Sequence, residues 1–226
     1  MKEIIFFLKT GVVSKTNSVS KYFRVILFLV LITSFFQILV TIIAEILKFY
    51  GAIQKAEHIS VYDSHESHKL WRWLNLVLLA PILEELTFRF PLIDNKFSLP
   101  LFISLLFLIC FDFSFFYSLA FFLGGIFLLL SLYKMCSKLR IYQSVFYRKN
   151  HLGVIYTLAF LFGGIHLFNF TTNSLGILSS LIIILPHFFA GLMFSFIRLK
   201  FSLMHSIFAH SLWNSLIFSV IYFLNL

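Results

Sequence analysis

Lysine and arginine leave long apolar gaps along the chain. Between Arg24 and Lys48 lie 23 residues whose only ionisable carboxylate is Glu45, and between Arg72 and Arg89 lie 16 with only Glu84 and Glu85. Lys96 to Lys134 encloses 37 residues with Asp112 as the sole charge, Lys149 to Arg198 encloses 48 with none, and 26 follow Lys200. A helix crosses a hydrocarbon core of roughly 30 Å in about 20 residues, so the two longest gaps must each fold back once. Asp112 with Ser114 supplies one turn and Thr171-Thr172-Asn173-Ser174 the other, since short polar side chains favour turns over lipid. The pattern predicts an all-α, polytopic membrane helix bundle of about seven transmembrane helices, near 25–48, 71–90, 98–113, 115–133, 154–170, 175–197 and 203–224.

Composition agrees with this pattern. The 226 residues are 60% hydrophobic, 19% aromatic and 12% charged, against roughly 25% charged for a soluble domain. That balance excludes a soluble globule, and the surplus of apolar surface excludes a disordered chain. The 9 glycines and 4 prolines follow no fibrous period.

The net charge of +9 reads as a topology signal. Seven spans put 14 basic residues on one side and 4 on the other (Lys48, Lys55, Lys69 and Arg72). Cytoplasmic loops retain Lys and Arg, so the N-terminus is expected in the cytoplasm and the C-terminus outside. The excess implies attraction to anionic membrane lipid, and the chain has no aromatic-basic motif for nucleic acid. Residues 1–23 are expected to form a cytoplasmic or interfacial segment, with a single transmembrane domain over 24–226. The run Met1 to Lys9 is too short for a cleaved secretory signal. Cys110 and Cys136 have neither metal spacing nor an oxidising compartment and are expected to be structural.

Ionisable groups inside spans cost at least about 2.5 kcal/mol each at the bilayer centre, which makes them functional candidates. Several have simpler explanations. Glu45 lies three residues before Lys48, Asp112 belongs to a turn, His205 lies near a span end, and His187 follows the helix-kinking Pro186. The loop Asp63-Ser64-His65-Glu66-Ser67-His68 fits no metal spacing. Three segments stand out. Pro81-Ile82-Leu83-Glu84-Glu85-Leu86-Thr87-Phe88-Arg89 puts two adjacent carboxylates in an apolar helix, with Arg89 four residues after Glu85 as its ion-pair partner. Glu84, rotated about 100° away, is left over as a candidate general base. Phe162-Gly163-Gly164-Ile165-His166 aligns Phe162 with His166, and its glycines admit a close helix. His210 and Asn214, four apart, form a polar stripe.

In this order the three segments resemble the CAAX-processing and bacteriocin-processing (CPBP, or Abi) family of intramembrane proteases. The Glu-Glu-x-x-x-Arg motif is matched by Glu84, Glu85 and Arg89, Phe-x-x-x-His by Phe162 and His166, and His-x-x-x-Asn by His210 and Asn214. The resemblance covers residues 71–224 and departs from the usual pattern in the 82-residue separation of Glu84 from His166, which implies an inserted helical pair near 98–133.

The resemblance implies an intramembrane endopeptidase acting on a membrane-associated peptide or protein, lipidated or CAAX-type tails included. Glu84, assisted by His166, would activate water, and His210 with Asn214 would hold the oxyanion. Glu85 and Arg89 would be structural, with Phe162 in support. The set Glu84, His166, His210 and Asn214 is also open to a divalent ion such as zinc, leaving a position for water. Small size and the lack of a soluble domain lean toward a bacterial cell membrane. The alternatives are a non-catalytic membrane scaffold or bacteriocin self-immunity protein of the same fold and, without inverted repeats to favour it, a small transporter.

Overall fold

The structure, a computed structural model, describes residues 2–14, 19–53, 73–92, 102–103, 137–170 and 176–224. All the regular elements among them are helical: α1 (Lys2–Thr10), α2 (Val19–Phe49), α3 (Ala80–Phe88), α4 (Ser137–Ile165), α5 (Ile177–Lys200) and α6 (Leu203–Leu224). A π-helical turn, Asn75–Leu79, leads into α3, and 3-10 turns follow α3 at Phe90–Leu92 and α4 at His166–Asn169.

Among the described residues, three helices are long and apolar enough to cross a membrane: Tyr22–Phe49, Lys149–Asn169 and Ile177–Lys200. These coincide with the expected spans 25–48, 154–170 and 175–197. Over the described part of the expected span 71–90 the helix is a composite element, its π turn Asn75–Leu79 running into α3, where Pro81 has no N–H to continue the hydrogen-bond ladder. α6 occupies the last expected span with 22 residues. Most of the pair expected at 98–133, both cysteines, the Asp63–His68 run and both expected turns, at Asp112 and at Thr171–Ser174, lie outside the described residues.

Lipid-type exposure recurs along α2, where Phe28, Leu31, Phe35, Leu39, Ile42 and Ile46 are exposed while Ile26, Leu29, Val30 and Thr33 are buried. α5 packs on α4, α2 and α6 and forms the centre of the bundle. Its closest approach is to α4. A Cβ on Gly163 would meet the Ile184 carbonyl oxygen at 2.9 Å, which forces a shift of backbone, and one on Gly191 would meet Ala159 Cα at 3.1 Å, a tight contact, so the two glycines favour this spacing. Gly164, expected to share that role, faces open space.

α1 belongs to the same core. Phe7 is buried and packs edge-on against Phe196 at 5.3 Å, the Tyr156 hydroxyl donates to Leu8 O at 2.9 Å, and Glu3 pairs with Lys200. Arg198 Nε donates to Arg89 O at 3.3 Å. The N-terminal helix, the end of α3 and the end of α5 therefore meet at one end of the bundle, the grouping that the charge count expects on one side.

Candidate functional site

Glu85, Arg89 and His210 are almost completely buried. A charged group taken from water needs compensation by several partners, and Glu85 has them. Arg89 Nε lies 3.4 Å from Glu85 Oε1, His210 Nδ1 donates to the same oxygen at 3.1 Å, and the Ser206 hydroxyl donates to Oε2. The Arg89 guanidinium also lies over the Phe162 ring, 4.3 Å from its centroid, a favourable cation–π position in an apolar site.

Glu84 differs from its neighbour. Its Oε2 is buried and has no hydrogen-bond partner among the described residues; His210 Nε2 faces it at 3.5 Å, inside ion-pair range but beyond good hydrogen-bond geometry. His210 thus turns one nitrogen to each glutamate. The Nδ1–H bond to Glu85 fixes the ring and leaves Nε2 directed at Glu84.

Phe162 connects this pair to the second imidazole. Its ring is 5.5 Å from His210 and 5.2 Å from His166, edge-on to both. His166 begins the 3-10 turn after α4, and its Nδ1 donates to Phe162 O at 2.8 Å, which makes Nε2 an acceptor in the neutral ring. Among the described residues, Glu84 pairs with His210 and makes no ion pair with His166. Asn214 points elsewhere, donating from Nδ2 to Leu76 O at 2.8 Å. That carbonyl is available because Ala80 N–H goes to Asn75 O and Pro81 has no N–H to give. The π turn and the proline thus create an acceptor that Asn214 takes.

The geometry brings in Ser206 and Trp213, which the sequence did not single out, and places His187, explained from Pro186 alone, beside His166. His187 stacks on His166 with centroids 3.7 Å apart and planes at 26°. Its Nδ1 donates to Ile183 O at 2.8 Å, not to Ile182 O, the carbonyl that Pro186 leaves without an amide. No spacing within α5 signals this, because its polar partner is on another helix. Ser206 and Trp213 lie four before and three after His210, so helical periodicity alone places them on its face. Glu45 forms the local ion pair with Lys48, and His205 shares a 2.7 Å hydrogen bond with Ser202 at the start of α6, away from the cluster.

Metal ligands must converge on one point. Here His210 is directed at two carboxylates, the Asn214 amide is bound to Leu76, and among the described residues no three His, Cys, Asp or Glu side chains form a metal-holding group. The residues as arranged do not fit a zinc ion, and no step below passes through one.

The fold and the cluster define a class: an all-α protein with, among the described residues, three helices suited to crossing a membrane and a cluster of two glutamates, an arginine and three histidines in which Glu85, Arg89 and His210 are buried. No protein-family model matches the chain, and no curated protein or solved structure matches it.

Proposed function

We propose that this chain is an intramembrane endopeptidase hydrolysing a peptide bond of a membrane-associated peptide or protein, lipidated and CAAX-type substrates included, with Glu84 as general base. One observation carries the reading: the Glu84 oxygen is buried without a hydrogen-bond partner and faces His210, while adjacent Glu85 is fully engaged. A purely structural carboxylate is satisfied as Glu85 is. An unsatisfied carboxylate can take a proton from water and return it.

In this mechanism Glu84 removes a proton from water as the water oxygen bonds to the carbonyl carbon. His210, held by Glu85, keeps its Nε2 directed at Glu84. His166 Nε2 accepts the second hydrogen of the water and orients it, the assistance that the family resemblance implies. Glu85, Arg89 and Ser206 hold the assembly. The site is one turn from the end of α3 that meets Arg198 near the end of α5, so with that end in the cytoplasm cleavage occurs near the cytoplasmic face of a cell membrane, with the C-terminus outside.

The test is to incubate purified, detergent-solubilised protein with a library of lipidated and unlipidated peptides and read products by mass spectrometry, beside Glu84→Gln and with chelator or added zinc. Cleavage that disappears in a folded Glu84→Gln protein supports the reading, and loss with chelator restored by zinc makes the activity metal-dependent. Cleavage that persists in the variant rejects Glu84 as base. No cleavage by either protein favours the scaffold or self-immunity role.

A further inference from the structure

The two donors that the resemblance assigns to the oxyanion are engaged within the protein: His210 by both glutamates and Asn214 by Leu76 O. A third donor is not. Trp213 is 3% exposed, and its Nε1–H, which can only donate, has no acceptor among the described residues. A buried indole N–H ordinarily finds a partner.

The position of the ring gives that N–H a use. Trp213 is 5.9 Å from His210, 5.8 Å from His187 at 83° and 5.8 Å from Phe194, centroid to centroid. It sits where the Glu84–His210 pair and the His166–His187 stack come together. A rigid aromatic packed against three rings is a preorganised donor, the property that electrostatic stabilisation of a transition state requires.

We propose that Trp213 is a catalytic residue whose Nε1–H donates to the carbonyl oxygen of the peptide bond under attack. This rests on the peptidase reading above. Water loses its proton to Glu84 while its oxygen bonds to the carbonyl carbon, and the carbonyl π pair moves onto the oxygen facing the indole. On collapse that pair re-forms the carbonyl, the C–N bond breaks, and the leaving nitrogen takes the proton from Glu84. The hydrogen bond strengthens as charge develops, so it acts on kcat more than on KM.

The experiment compares wild type, Trp213→Phe and Glu84→Gln on a cleaved peptide, with thermal unfolding of each. The indole N–H signals of the protein, which has three tryptophans, are also followed by NMR as uncleaved peptide saturates Glu84→Gln. The expected result is a kcat about 100-fold lower in Trp213→Phe, with unchanged KM and a downfield shift of the Trp213 signal on binding. The smaller ring leaves space in the core and lowers the melting temperature whatever the role of the N–H, so the melting curves serve to show that each variant is folded. Wild-type turnover in Trp213→Phe beside an inactive Glu84→Gln overturns the role of Trp213 and leaves the peptidase reading intact. An indole signal that does not move on binding also overturns it. A wild-type protein that cleaves nothing removes both.

Discussion

His210 Nε2 and Glu84 Oε2 face each other across 3.5 Å, while the other nitrogen of the same ring holds Glu85 at 3.1 Å. One imidazole thus couples a satisfied carboxylate to an unsatisfied one. The two glutamates are neighbours in sequence, and they are predicted to respond differently to the same substitution.

Glu85→Gln removes the countercharge of a wholly buried Arg89. Breaking one partner of a buried ion pair costs about 3 to 5 kcal/mol, so this variant should unfold at markedly lower temperature or fail to accumulate. Glu84→Gln should retain the wild-type melting temperature. Thermal unfolding in detergent checks both, and equal losses would contradict the division of roles.

Gly163→Ala and Gly191→Ala drive a methyl into backbone of the facing helix, and overpacking of this kind costs about 1 to 3 kcal/mol. Gly164→Ala, with open space around it, should be neutral or slightly stabilising. The three melting temperatures together test the α4–α5 spacing.

Asn214→Ala leaves Leu76 O without its donor, a loss of about 1 kcal/mol. Pro81→Ala supplies a backbone N–H in the turn that lacks one. Combining them should cost less than the sum of the single changes. Strict additivity in that double-mutant cycle would show that Asn214 does not replace the missing amide.

Glu3 lies outside the spans and gives a pH dependence. Burial, the largest influence, pushes its carboxyl up, but hydrogen bonds from Lys200 and Ser14 and the Lys200 charge together hold it below the usual range. A lowered folded value means that the α1 latch is at full strength above the ordinary carboxylate range, where the unfolded chain titrates, and is lost as pH falls through the folded value. The difference in melting temperature between wild type and Glu3→Gln should therefore be present at neutral pH and vanish in acid. A difference that persists in acid would place the contribution of Glu3 elsewhere.

Local spacing made part of the site legible. Glu85 with Arg89 and Phe162 with His166 are four apart and meet as their helices dictate, at 3.4 Å between Nε and Oε1 and at 5.2 Å between rings. His210 and Asn214 also share a face, but what each binds depends on another helix: one takes the glutamates, the other a carbonyl freed by Pro81. His187 carried no such signal, since the ring that it stacks on is contributed by the 3-10 turn after α4.

The sequence by itself determined the helical, lipid-compatible character of the chain, because apolar runs between widely spaced charges have no soluble solution and a helix satisfies its own backbone. It also determined which ionisable groups need an explanation, since burial of each is costly wherever the helix lies. Only the tertiary structure decided who compensates whom. Glu84 faces His210 instead of His166, the Trp213 N–H has no acceptor, and α1 packs into the core, because these outcomes depend on helix rotation, depth and crossing. Those are set by side-chain packing between segments distant along the chain, as at Gly163 and Gly191, and periodicity within one helix carries no information about them.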